Sequence, residues 1–199
     1  MAKDYSEDLL IQQSTAELLE KELGWKSVYA FDSEVLGEHG TLGRKSQHDV
    51  VLTRHLRLAL KRLNAWMTDK QLAEAIERMT GYMSSQTLMQ IKVEKYGYLR
   101  DGVPVTRLKS NGETEQVRAR VVDFATVDNN EFVAVRELWI KGPIHKRRAD
   151  VVCYVNGLPL IFIELKNHDQ DIRNAYTDNT CHTHHYHSRC AVAGIAGEL

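Results

Sequence analysis

Three charged side chains interrupt the most apolar stretch of the chain. The stretch reads Arg147-Arg148-Ala149-Asp150-Val151-Val152-Cys153-Tyr154-Val155-Asn156-Gly157-Leu158-Pro159-Leu160-Ile161-Phe162-Ile163-Glu164-Leu165-Lys166-Asn167. Asp150 opens it, and Glu164 and Lys166 close it. Buried carboxylates are costly unless they are paired or bound to a metal. An Asp, a Glu and a Lys that meet at one point suit metal-assisted hydrolysis of a phosphodiester. Two carboxylates hold Mg²⁺, a hard ion that prefers oxygen ligands, with Mn²⁺ as a substitute. Such an ion acidifies a bound water and neutralises charge on the phosphoryl oxygens. A lysine beside it orients the attacking water and stabilises the transition state. Taken alone, the spacing Asp-x13-Glu-x-Lys is loose, and a Glu–Lys pair at a strand end with a solvated Asp explains it better.

The element that must bring the three together is a hairpin. Two apolar, β-branched runs flank Asn156-Gly157, the strongest short-range hairpin signal. Nearly every residue on both arms is apolar, so both faces are expected to be buried. Side chains alternate along a strand, so Glu164 and Lys166 share a face and Leu165 takes the other. A two-residue loop would pair Val155 with Leu158 and Asp150 with Ile163, which places Glu164 on the wrong face. The expectation is therefore an odd-length loop, with Gly157 in the left-handed region, that puts Asp150, Glu164 and Lys166 on one face.

Basic residues gather just upstream. Lys141, His145, Lys146, Arg147 and Arg148 precede Asp150, and Lys141, Lys146, Arg147 and Arg148 form a candidate phosphate-binding patch. The plainer alternative is a solvated loop that keeps a sheet edge soluble.

The segment from 132 to 167, and its Asn-Gly-Leu-Pro-Leu part above all, closely resembles the nuclease motif at the amino-terminal end of type I restriction enzyme R subunits, of the PD-(D/E)xK superfamily. The resemblance implies an α/β, restriction-endonuclease-like core with a mixed central sheet, flanking helices and a helical insertion. It implies Asp150 and Glu164 as Mg²⁺ ligands, the Leu165 backbone carbonyl as a further one, and Lys166 beside them. It also implies an acidic residue near the start of the first helix, which Glu7 in Tyr-Ser-Glu matches best. In the family an ATP-dependent motor follows this domain. No Gly-x-x-x-x-Gly-Lys-Ser/Thr motif is present here, so ATP is expected to serve only the missing motor part. The partners implied are double-stranded DNA and the methyltransferase and specificity subunits of a restriction complex. A catalytically silent docking module for those subunits is the alternative.

Composition is compatible with this. The 199 residues suffice for one domain, and 43% hydrophobic with 27% charged is ordinary for a globular protein. A net charge of −1 gives no global basic footprint, so DNA binding would need a local patch or a partner. No apolar run reaches the length of a membrane span, and no signal-peptide pattern is seen, so a cytoplasmic protein is expected. Cys153, Cys181 and Cys190 make no disulfide framework.

The remaining elements frame the hairpin. Residues 6–23 read as an amphipathic helix with Ser6 as cap, an apolar stripe of Leu10, Ile11, Leu18, Leu19 and Leu23, and Gly24 as stop. On that helix Glu7 falls roughly 40° from Ile11 and 20° from Leu18, hence inward, with an exposed first-turn acid favoured by the helix dipole as the equal alternative. A short strand is expected at 27–31. A helical insertion spans about 52–101, with helices over 52–66, 69–80 and 84–100; the first is basic through Arg54, Arg57, Lys61 and Arg62, expected to be a solvated face or a contact to a neighbouring domain rather than a DNA-phosphate contact. Sheet strands and the hairpin occupy about 103–167. The tail, 168–199, departs from the family: Gln170 leads to Asn174 where the family's Gln-x-x-x-Tyr needs Tyr, and family character is lost near Asn179. Its Cys/His-rich stretch 181–190 makes structural zinc a minor alternative.

Overall fold

A computed structural model describes residues 7–81, 85–142 and 145–165, with the backbone alone for 7–11. The elements, in order, are α1 (Glu7–Leu23), β1 (Lys26–Tyr29), α2 (Thr53–Leu63), α3 (Asp69–Thr80), α4 (Leu88–Asp101), β2 (Val103–Leu108), β3 (Thr114–Ala119), β4 (Phe132–Lys141), β5 (Lys146–Val155) and β6 (Leu158–Ile163). Ser6, the tail and Lys166 lie outside the described residues. No described helix is long and apolar enough to cross a membrane.

The central sheet is mixed. Its order is β1-β4-β5-β6, with β1 parallel to β4 and the other neighbours antiparallel. The strands after residue 103 do not all join it: β2 and β3 pair only with each other, in a separate two-stranded sheet. On one side of the central sheet α1 contributes Leu19 to a cluster with Ala134, Val151 and Cys153. A second cluster joins Val133, Val135, Leu138, Val152 and Tyr154 to Leu42, Val50 and Leu52 from the chain before α2. Burying side chains of this size stabilises by roughly 1.5–3 kcal/mol each.

Helix ends follow local chemistry. Thr68 and Thr87 each build a capping box, with Gln71 and Gln90 respectively. The last of these helices starts at Leu88, later than the expected 84, because Thr87 supplies its cap. Gly24, at φ 67°, ends α1 as expected. The packed face of α1 differs from expectation: Gln12 and Ala16 are buried and Leu19 packs inward, while Leu18 and Leu23 are exposed. These buried positions repeat at i, i+4 and i+7, a valid helical face centred elsewhere than on Leu18.

The helical unit is bolted to the hairpin turn. Leu56 and Leu60 of α2, Leu72, Ala75 and Met79 of α3 and Tyr98 and Leu99 of α4 share a core with Val155 and Leu158, the two residues flanking the turn. Asn156 is fully buried. Its Oδ1 accepts from the Glu131 N–H at 2.8 Å and from Arg62 at 3.0 Å, and its amide donates to Val121 O and Asn130 Oδ1, each at 2.8 Å. A Cβ on Gly157 would meet Leu52 O at 2.5 Å and Leu56 N at 2.8 Å. The Asn-Gly pair is thus a buried junction under the start of α2. Two of the four basic residues of α2 are tied up in the same way: Arg54 donates to the Gly40 and Thr41 carbonyls and Arg62 to Asn129 O, while Arg57 and Lys61 are exposed.

Candidate active site

The hairpin reaches its register by a route other than the expected one. Val155 pairs with Leu158 across a two-residue turn, with Asn156 at φ 53° and Gly157 at φ 80°. Both central residues are left-handed, the geometry that suits the right-handed twist of the strands. The odd-length loop is therefore absent. The parity shift comes instead from β6: Cys153 pairs with Ile161 and Tyr154 with Pro159, so Leu160 is an extra, bulged residue. Beyond the bulge Val151 faces Ile163, where the paired ladder ends.

Both inner strands also turn over at this level. Val135 and Leu138 lie in one cluster although they are three residues apart, as do Ala149 and Val152. Strict alternation would put the members of each pair on opposite faces. The pairs Arg136↔Val151 and Leu138↔Ala149 hold on either side, so Glu137 and Asp150 occupy facing positions at the turnover. Glu137 has φ 57°, is buried, and accepts from Arg148 Nε at 2.6 Å.

Asp150 is held from two directions. The Leu165 N–H donates to its Oδ2 at 2.8 Å, and Gln12 Nε2 of α1 donates to its Oδ1 at 3.3 Å. The first bond ties the chain at Glu164-Leu165 to Asp150 where β6 ends. Glu164 accepts from Arg147 Nη2 at 2.8 Å, with both side chains largely buried. Asp150, Leu165 and the Glu164 backbone are thereby brought together. Lys166 and the side chain of Glu7 lie outside what is described.

The basic patch is only partly a solvent-facing one. Arg147 and Arg148 are engaged by Glu164 and Glu137. Arg148 also lies over the Phe31 ring, 5.1 Å from its centroid. Lys141 and Lys146 are exposed, and Lys146 sits 4.1 Å from the centroid of Trp139. Nearby, burial first, and then the charges of Glu137 and Asp32, push the Tyr29 hydroxyl above its usual range. Burial alone raises the Cys153 thiol to about 11, so it is no nucleophile at neutral pH.

The expectation that both hairpin faces are covered fails on β6, where Ile161 and Phe162 are 45% and 39% exposed. No group of three or more His, Cys, Asp and Glu side chains among the described residues is placed to hold a metal. The donor types at Asp150 and Glu164 nevertheless fit Mg²⁺, which takes one or two carboxylates and keeps several waters. One observation adds to that fit: Gln12 Oε1, on the amide that touches Asp150, is buried with no hydrogen-bond partner among the described residues. Gln12 was missed in the sequence because a lone Gln on an amphipathic helix carries no mark of inward placement.

A mixed α/β core with this sheet and flanking helices has the architecture of a restriction-endonuclease-like fold. The chain belongs to the family described as the N terminus of the type I restriction enzyme R protein, whose model matches residues 4–192. That match runs past Asn179, so the family likeness extends further into the tail than the motif residues suggest. The chain is 35% identical over 158 residues to the type I restriction enzyme HindI endonuclease subunit of Haemophilus influenzae, covering 79% of this chain and 14% of that protein. It is 26% identical over 183 residues to a putative type I restriction enzyme MjaIXP endonuclease subunit of Methanocaldococcus jannaschii, covering 89% of this chain and 17% of that one. The chain thus spans about a sixth of the length of these relatives.

Proposed function

We propose that this chain is the nuclease part of a type I restriction endonuclease subunit, which hydrolyses DNA phosphodiester bonds with Mg²⁺ in the full complex. The observation that carries the reading is the bond from the Leu165 N–H to Asp150, which ties the residue following Glu164 to the aspartate that opens the motif. Family membership and the names of the relatives support it.

In this reading Asp150 and Glu164, with the Leu165 carbonyl, hold the ion, and Gln12 steadies Asp150. A bound Mg²⁺ supplies an acidified water and neutralises charge on the phosphoryl group. Lys166 orients the attacking water, and Glu7 lies near the site as a further acid. Lys141 and Lys146, with Arg147 and Arg148, position the DNA backbone by its phosphates. Nothing in this set reads base edges, so sequence choice belongs to a specificity subunit. ATP-driven translocation belongs to a motor outside these residues, and a methyltransferase subunit completes a cytoplasmic complex. Alone, the chain is expected to cut weakly or not at all.

A second reading is a silent docking module of the same fold. The Arg147–Glu164 pair favours it, because that cation already satisfies a proposed metal ligand. Mn²⁺ titration calorimetry separates the two. Stoichiometric binding lost in both Asp150→Ala and Glu164→Ala supports the nuclease; binding unchanged in both leaves the docking module. In a full-length subunit, Lys166→Ala should abolish cleavage and spare ATP hydrolysis.

A further inference from the structure

Among the described side chains of α1, Gln12 is the buried polar one that bonds the hairpin's acidic end. It is 5% exposed. Its orientation follows from chemistry: ionised Asp150 can only accept, so the amide nitrogen must face it. That leaves Oε1 as an acceptor on the same small planar group. It is buried, and no donor among the described residues reaches it. An unsatisfied buried acceptor is costly, and such groups in folded proteins usually await a water or an ion.

We propose that Gln12 is a positioning residue for the divalent-ion site: Nε2 fixes Asp150, and Oε1 accepts a hydrogen bond from a water in the ion's own shell. The inference rests on the metal-dependent reading above. An ion held by two carboxylates keeps several waters, each with protons to donate. Outer partners of this kind orient the ligands and tune affinity, and losing one typically costs 10- to 100-fold. Gln12 suits the task better than an acid. A glutamate there would face Asp150 with like charge when the ion is absent, whereas the amide offers a donor to one side and an acceptor to the other. The position on α1 also has a mechanical consequence. Ala16 and Leu19, one and two turns further on, pack inward, so the helix delivers Gln12 to Asp150 as part of a rigid face.

The test is Mn²⁺ binding by the 199-residue chain and by Gln12→Leu, Gln12→Glu and Asp150→Asn, read by calorimetry and by the rise in Tm that Mn²⁺ produces. Gln12→Leu keeps the bulk and removes both polar contacts; it is expected to weaken Mn²⁺ at least fivefold. Gln12→Glu is isosteric. It is expected to lower Tm without metal and to show a larger Mn²⁺-induced rise than the parent, because the ion relieves the repulsion between the two carboxylates. Should both Gln12 variants bind within twofold of the parent while Asp150→Asn has lost binding, Gln12 is only a packing residue and the inference fails. If the parent does not bind Mn²⁺, or Asp150→Asn binds as the parent does, the metal reading itself falls and this inference with it. Urea unfolding of each variant checks that it folds.

Discussion

Arg147 Nη2 lies 2.8 Å from Glu164 Oε1, so a residue proposed to meet phosphate rests on a residue proposed to meet metal. Arg147 therefore competes with the ion for Glu164. Mn²⁺ affinity should rise in Arg147→Gln, by up to roughly fivefold, or about 1 kcal/mol. Affinity for DNA should fall in the same variant and lose part of its salt dependence. Calorimetry and a salt series measure both. Weaker Mn²⁺ binding would mean that Arg147 shapes the site rather than competing within it.

Asn156 makes the hairpin turn a structural junction. Its side chain closes four hydrogen bonds in a place that excludes water. Asn156→Ala strands the Val121 carbonyl and the Glu131 N–H, and puts alanine at φ 53°. The expected loss is about 3 kcal/mol or more in urea unfolding. A loss under 1 kcal/mol would show that water enters and replaces the amide.

Glu137 is the pivot of β4. Few non-glycine residues hold a left-handed φ inside a strand, and a β-branched one is strained there. Glu137→Gln should retain the backbone and cost little beyond the Arg148 pair. Glu137→Val adds strain of roughly 1–3 kcal/mol. The same unfolding midpoint for Gln and Val would deny the backbone constraint.

Cys153 gives a pH dependence. Its thiol ionises at about 11 in the fold because burial penalises the thiolate. Unfolded, a thiol ionises near about 8.5. Between these values the native state holds the extra proton, so stability falls as pH rises, by at most about 1.4 kcal/mol per pH unit. Below that window the term is fully present. In a Cys181→Ser, Cys190→Ser background, Cys153 should resist a thiol reagent at pH 8 until urea unfolds the chain. Rapid labelling of the native protein would contradict its burial.

Much of the site was legible along the chain. Asp150 and Glu164 stood out because charge in an apolar run is costly, and Asn156-Gly157 marked the turn because both positions tolerate positive φ. The extra residue that an odd parity calls for is present, but not in the loop. It is Leu160, in the strand, where no sequence signal distinguishes a bulged leucine from a paired one. Gln12 was invisible for a related reason: which face of α1 packs depends on the sheet beneath it, not on the helix's own pattern.

Local chemistry in the sequence determined the element types, the capping threonines, the Asn-Gly turn and the acids that mark the site. Those depend on contacts within a few residues, which periodicity and side-chain type express directly. Tertiary structure alone decided that the turn is buried beneath α2, that β4 and β5 roll over together at Glu137 and Asp150, and that Gln12 and Arg147 reach the two carboxylates. Each of these joins residues far apart in the chain, and which partners meet is settled by how the layers pack.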